Sequence, residues 1–226
     1  MRCLKQQFKL FVCTMQCAHF RERRLRILIL GHNPSQIAWT TGTSYGNPSN
    51  HFWPIMRRCG VVNVGNTEPI WRLNNMLPDM AGIGITDLGC VPGSDAATFS
   101  RDVLREWRTD LYRRMRAHLF RCSVLAGVSD HELQDFAPAI VAFTGKRHFV
   151  DLFDRPCCRP PSYGPQVLRP DGWPYPNRTE VWVLPSPSGR AAMSVVDREK
   201  PYRLLAARLK NIPWPLEAEM TEEIEQ

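Results

Sequence analysis

Arg26-Ile27-Leu28-Ile29-Leu30, followed directly by Gly31-His32-Asn33-Pro34-Ser35, decides how the rest of the chain is read. Four consecutive aliphatic residues without polar alternation describe a strand buried on both faces. Such strands belong to parallel sheets covered by helices. Gly31 ends the run, and turn-forming residues follow at once. Two more runs have the same form: Pro138-Ala-Ile-Val-Ala-Phe143, which ends near Gly145, and Glu180-Val-Trp-Val-Leu184, which ends at Pro185. Gly84-Ile-Thr-Asp-Leu88 is a shorter strand candidate.

Helical patterns fall between these runs. Residues 52–59 and 69–76 read as short helices, the second with Pro69 near its start. Ser100 or Thr98 can cap a long helix reaching about residue 119. There Val103, Leu104, Trp107, Leu111, Met115 and Leu119 repeat every three or four residues, and arginines line the opposite face. Residues 146–153 and 197–209 complete the helices. Residues 32–50 read as a polar, glycine-rich stretch, and the proline-rich residues 155–177 as an irregular loop with a turn at Pro170-Asp-Gly172. Strands alternating with helices predict an α/β fold, a three-layer α/β/α sandwich around a mostly parallel sheet. Ligands of such folds bind beyond the C-terminal ends of the strands. The loops 31–35, 144–146 and 185–190 are therefore expected along one edge.

The chain has 226 residues, enough for one domain with a sizeable core. Hydrophobic residues make up 43% and charged residues 23%, which excludes wholesale disorder and fibrous repeats. No apolar run reaches the ~18 residues of a membrane span. The net charge is +7, and 24 of the 29 basic residues are arginine. An arginine-rich body suits a polyanion such as nucleic acid, although solvating surface charge gives the same composition. Three parts are expected: a basic extension at 1–24, the main domain at 25–213 and an acidic, disordered tail at 214–226, whose last eleven residues hold five Glu. The extension is basic and free of acids before Glu22 but poor in serine, so a transit peptide and a surface helix both fit. The eight cysteines contain no Cys-x-x-Cys and read as reduced intracellular thiols. The sharper alternative is a zinc or iron–sulfur site from Cys13, Cys17, Cys157 and Cys158.

Three polar motifs follow the strands. Gly31-His-Asn-Pro-Ser35 alone is a turn; it is neither a dinucleotide fingerprint nor a P-loop. Thr41 to Trp53 is rich in Gly and Asn, carries Tyr45 at its middle and ends in Asn50-His-Phe-Trp53. Pro185-Ser-Pro-Ser-Gly-Arg190 offers Ser186, Ser188 and backbone amides to phosphate oxygens, with Gly189 and Arg190 at its tip.

Together, in this order, the motifs resemble the mismatch-specific uracil/thymine-DNA glycosylases of the uracil-DNA glycosylase superfamily. The resemblance covers residues 25 to 210 and takes in Gly84 to Leu88, Thr144 to Lys146 and Tyr163-Gly-Pro-Gln166. It implies roles. Asn33 matches the asparagine that positions the attacking water. His32 matches a position whose backbone contacts the base. Tyr45 matches the aromatic that stacks on the flipped base. Ser186, Ser188 and Gly189 match the phosphate-gripping loop, and Arg190 the wedge that fills the duplex. Asp87 stands near the base edge, where relatives carry Asn or Lys. Ser35 and His32 also depart, the family having Gly and Ile there.

The expected activity is a monofunctional DNA glycosylase of base excision repair, acting on uracil or thymine opposite guanine, without a lyase step, metal or cofactor. Its partner is double-stranded DNA carrying a mismatched or damaged base; a monomer is expected, and no membrane association. An intracellular site is expected, and nucleus, DNA-containing organelle and bacterial cytoplasm all fit. Two other readings stay open. A non-catalytic DNA-binding relative would bind uracil-containing DNA without releasing base. An unrelated small-molecule hydrolase would cleave free nucleosides and ignore duplex DNA.

Overall fold

The computed structural model describes residues 23–63, 69–93, 98–127, 130–155 and 161–214. The extension up to residue 22, the tail from 215, and Cys13, Cys17, Cys157 and Cys158 lie outside the described residues.

Among the described residues five strands form one sheet: β1 (Ile27–Gly31), β2 (Ile83–Asp87), β3 (Ile140–Phe143), β4 (Gly164–Gln166) and β5 (Glu180–Val183). The spatial order is β2-β1-β3-β5-β4. The first four of that order pair in parallel, and β4 pairs antiparallel with β5 at the edge. The helices are α1 (Gln36–Thr41), α2 (Phe52–Arg58), α3 (Leu77–Ala81), α4 (Arg101–Leu125), α5 (Lys146–Val150) and α6 (Val195–Leu209).

The three-layer expectation holds, and the period of two along each strand sorts its residues between the layers. Ile27 and Ile29 of β1, with Ile140 and Ala142 of β3, face one core, where Phe52, Ile55 and Met56 of α2 meet Tyr202, Leu205 and Leu209 of α6. Leu28, Leu30, Val141, Phe143, Val181 and Val183 face the other, against Leu104, Trp107, Leu111, Met115 and Leu119 of α4. Burying a Leu or Ile side chain stabilises by roughly 1.5–3 kcal/mol, so the two cores dominate the favourable side of folding.

Four local expectations need correction. Residues 32–50 are not all loop: Ser35 caps α1 by accepting from the Ala38 amide at 3.1 Å, and Gly42 closes the helix in the left-handed region. No residue of α1 is buried, so no apolar stripe marked it. The short helix expected at 69–76 is present as a single 3₁₀ turn (Ile70–Leu73) after Pro69, shorter than expected and followed by α3. The long helix, capped by Ser100, continues to Leu125. The proline-rich loop contains β4, whose Pro165 is tolerated because the strand lies at the sheet edge.

Candidate active site

The C-terminal ends of β1, β2, β3 and β5 open into a cavity of about 540 Å³. That is the size range of small-ligand pockets. All eight singled-out residues line it: His32, Asn33, Tyr45, Asp87, Ser186, Ser188, Gly189 and Arg190. Parallel pairing explains the convergence. β1 and β2 run in register from Ile27↔Ile83 to Gly31↔Asp87, so the loop after β1 begins beside Asp87.

Asn33 sits just past β1. Its Nδ2 donates to the carbonyl oxygens of Val91, at 3.0 Å, and Gly93, at 3.4 Å. Oδ1 lies 2.8 Å from His32 Nδ1. The His32 ring itself packs near Phe99, Trp107 and His148, with centroids 5.8–6.0 Å away.

Tyr45 has φ 55°, the one non-glycine residue with positive φ among the described residues. That conformation is uncommon for a bulky residue and persists only when the surroundings enforce it. Here Tyr45 stacks on the buried Phe52, with centroids 3.9 Å apart and planes 15° apart. Its hydroxyl is 2.9 Å from Thr144 Oγ1. The preceding residue is pinned as well: the Ser44 carbonyl accepts from Trp53 Nε1 at 2.8 Å, and its amide donates to Asn74 Oδ1 at 3.2 Å. Burial and the nearby Asp87 charge hold the Tyr45 phenol well above the ordinary tyrosine range, so it stays neutral.

Asp87 and Tyr45 approach each other over Gly31. A Cβ on Gly31 would fall 2.1 Å from Asp87 Oδ1 and 2.8 Å from the Tyr45 hydroxyl, so only glycine leaves the cavity floor intact. Desolvation pushes the Asp87 carboxyl up to about 7, against the opposing charge of Arg114.

The loop after β5 is held from several sides. Tyr202 of α6 donates to the Pro185 carbonyl at 2.8 Å, and Arg198 Nη2 to the Ala191 carbonyl at 2.7 Å. The His51 amide donates to the Pro187 carbonyl at 2.8 Å, tying this loop to the one carrying Tyr45. Ser186 Oγ accepts from the Ser188 amide, and Ser188 Oγ from the Arg190 amide, both at 3.3 Å. Both serines therefore shape the loop, and their hydroxyl hydrogens can still donate to a phosphate. Gly189 lets the two loops touch, because a Cβ there would meet the Ser49 carbonyl oxygen at 2.6 Å. Arg190 is exposed at the rim.

The family model described as the Uracil DNA glycosylase superfamily matches residues 18–210. The chain belongs to that superfamily. Membership indicates a DNA glycosylase, a hydrolase of N-glycosyl bonds, and members of the superfamily act on DNA.

The cavity also depends on residues that none of the three motifs contains. Arg114 of α4 is fully buried. Its Nε donates to Asp110 at 2.9 Å, Nη1 to Thr86 Oγ1 at 2.7 Å, and Nη2 to the carbonyl oxygens of Asp87 and Leu88 at 2.9 and 3.2 Å. This clamp fixes the end of β2 and with it Asp87. The signal was present: Arg114 follows Leu111 by three residues, on the apolar stripe and not on the solvated face. His148 is a second such residue. Its Nε2 donates to the Leu30 carbonyl at 3.0 Å; burial, with a further lowering from the neighbouring His32, pushes its pKa down to about 3, so it is neutral. Among the described residues no group of His, Cys, Asp or Glu is arranged to hold a metal ion, and Cys59, Cys90 and Cys122 are free of disulfides. No helix of the described residues is long and apolar enough to cross a membrane.

Proposed function

We propose that this superfamily member is a monofunctional glycosylase of base excision repair that hydrolyses the N-glycosidic bond of a flipped uracil, or thymine, mispaired with guanine. The observation that carries the reading is the Asn33 carboxamide, lodged at the cavity and held by three hydrogen bonds beside Tyr45 and Asp87. A base in a duplex is unreachable, and a mispaired base costs least to extrude. Tyr45, rigid on Phe52, gives the extruded base a flat surface on which to stack. Arg190 at the rim suits the gap left in the duplex, and the loop from Ser186 to Gly189 suits the flanking phosphates.

In the reaction, water oxygen bonds to C1′ while the C1′–N1 bond breaks and its electron pair leaves on the base. The water's extra proton passes through solvent to the anionic base, which is released neutral, and the sugar is left as an abasic hemiacetal. A carboxamide is no strong base, so Asn33 contributes by orienting the water through Oδ1. Rate then depends on the leaving group, and uracil leaves more readily than thymine.

Base release from duplexes containing one G·U, G·T or A·U pair tests this directly. The expected result is release from G·U, slower release from G·T, and a loss on the order of 100-fold in Asn33→Ala. DNA binding retained with no release from any duplex would favour the non-catalytic relative. Borohydride trapping of a protein–DNA adduct would refute the monofunctional assignment.

A further inference from the structure

His32 does something that its backbone position does not explain. Asn33 Nδ2 is spoken for by two carbonyl oxygens, which identifies the other end of the carboxamide as the oxygen. Oδ1 can only accept, so His32 Nδ1, at 2.8 Å, must carry the hydrogen. In a neutral imidazole this leaves Nε2 as a bare lone pair. Among the described residues Nε2 is buried without a hydrogen-bond partner and lies 3.9 Å from Asp151 Oδ2, which also lacks one there. The His32 side chain is 11% exposed and Asp151 19%, so water screens the pair poorly.

The groups around the ring come from two helices and one loop. α5 and the residue that ends it contribute Arg147, His148 and Asp151, with Arg147 Nε 3.6 Å from the Asp151 carboxylate. α4 contributes Trp107, and Arg101, which acts on Asp151; the segment before α4 contributes Phe99. Desolvation holds the imidazole below the ordinary histidine range. The Asn33 bond and the Asp151 charge oppose that, and the Arg147 charge adds to it. A neutral ring with its hydrogen on Nδ1 satisfies both the desolvation and the Asn33 bond.

We propose that His32 is a positioning residue: its Nδ1–H···Oδ1 bond fixes the Asn33 carboxamide so that the second Oδ1 lone pair remains for the attacking water. The inference rests on the glycosylase reading above. Its physical reason is that the terminal torsion of Asn is broad and has no staggered wells of its own. Two bonds at Nδ2 anchor one end of the amide, and the bond at Oδ1 stops it pivoting.

The test has three parts. First, long-range ¹H–¹⁵N spectra of the wild-type imidazoles should show His32 protonated on Nδ1; hydrogen on Nε2 alone would overturn the proposal whatever the enzyme does. Second, His32→Leu should slow single-turnover release from G·U DNA by about 10- to 100-fold, with substrate Kd unchanged within about twofold. His32→Asn, which keeps an N–H near the Nδ1 position, should recover most of the rate. Equal losses in both variants would overturn the proposal. Third, His32→Leu added to Asn33→Ala should cost nothing more, because coupled residues are non-additive. A full further loss in that background would overturn the proposal alone. A wild-type protein that releases no base from any duplex would overturn the glycosylase reading and this proposal with it.

Discussion

Asp87 is the residue at which charge and chemistry conflict most openly. It ends β2 on the cavity floor, with a carboxyl that titrates near 7. Below that pH it is neutral, and above it carries a charge. A departing base gathers negative charge, which a carboxylate on the same floor would oppose. Base release from G·U DNA should therefore fall as pH rises through about 7. Asp87→Asn should remove that inflection and keep the alkaline rate high. A single-turnover pH profile of the two proteins checks this, and an identical inflection in both would exclude Asp87 as its source. Ser35 shows the opposite case. It differs from the glycine expected by resemblance, yet its hydroxyl caps α1 in the loop that carries Asn33, so the departure has a structural use.

At the scale of elements, one side chain joins α4 to the end of β2. Arg114 donates to Asp110, Thr86 and two carbonyl oxygens from a dry interior. Arg114→Met fills similar volume but strands Thr86 Oγ1 and the carbonyl oxygens of Asp87 and Leu88, while Asp110 keeps its bond from Arg113. Each buried acceptor left without a donor costs about 1–3 kcal/mol, together about 3–5 kcal/mol. In a domain of this size that lowers Tm by about 10 °C. Calorimetry of the variant measures it; a fall under about 3 °C would mean that water or neighbours replace the guanidinium. The strands β1, β3 and β5 and the helices α2, α4 and α6 were legible because each presents a long apolar run or stripe to a core. α1 and β4 were not, since neither has an amphipathic pattern. α1 exists because Ser35 and Gly42 cap it, and β4 because the edge of β5 offers it a partner.

For the whole molecule the relevant quantity is where the positive charge lies. A second hollow of about 620 Å³ adjoins the cavity, and the two share Lys146 and Arg147. Arg101 and Arg105 of α4 line it too, with Asp151 and Asp154 as the acids among them. Lys146, Arg147 and Arg190 line the cavity beyond the strand ends, so the two adjoining hollows hold these cations together. Pairing them with phosphates releases counterions, so DNA affinity should fall steeply with salt. Replacing Arg101 and Arg105 with Ala should flatten the log–log salt slope by up to about 2, at roughly 0.9 for each phosphate no longer neutralised. Fluorescence anisotropy over a salt series measures the slope; an unchanged slope would place the DNA elsewhere.

The order of residues along the chain was enough to set the class of fold, the edge of the sheet at which the cavity lies and eight of the residues that line it. Buried parallel strands must be apolar throughout, and the polar residues that follow them can only gather beyond their C-terminal ends. How those residues are held came chiefly from packing between remote segments. The Asn33 carboxamide is oriented by its neighbour and by carbonyl oxygens some sixty residues away; Tyr45 is forced to positive φ and stacked on Phe52; Asp87 is desolvated until its proton is retained to about 7. These are properties of distance and of excluded water, which arise only when remote segments are packed together.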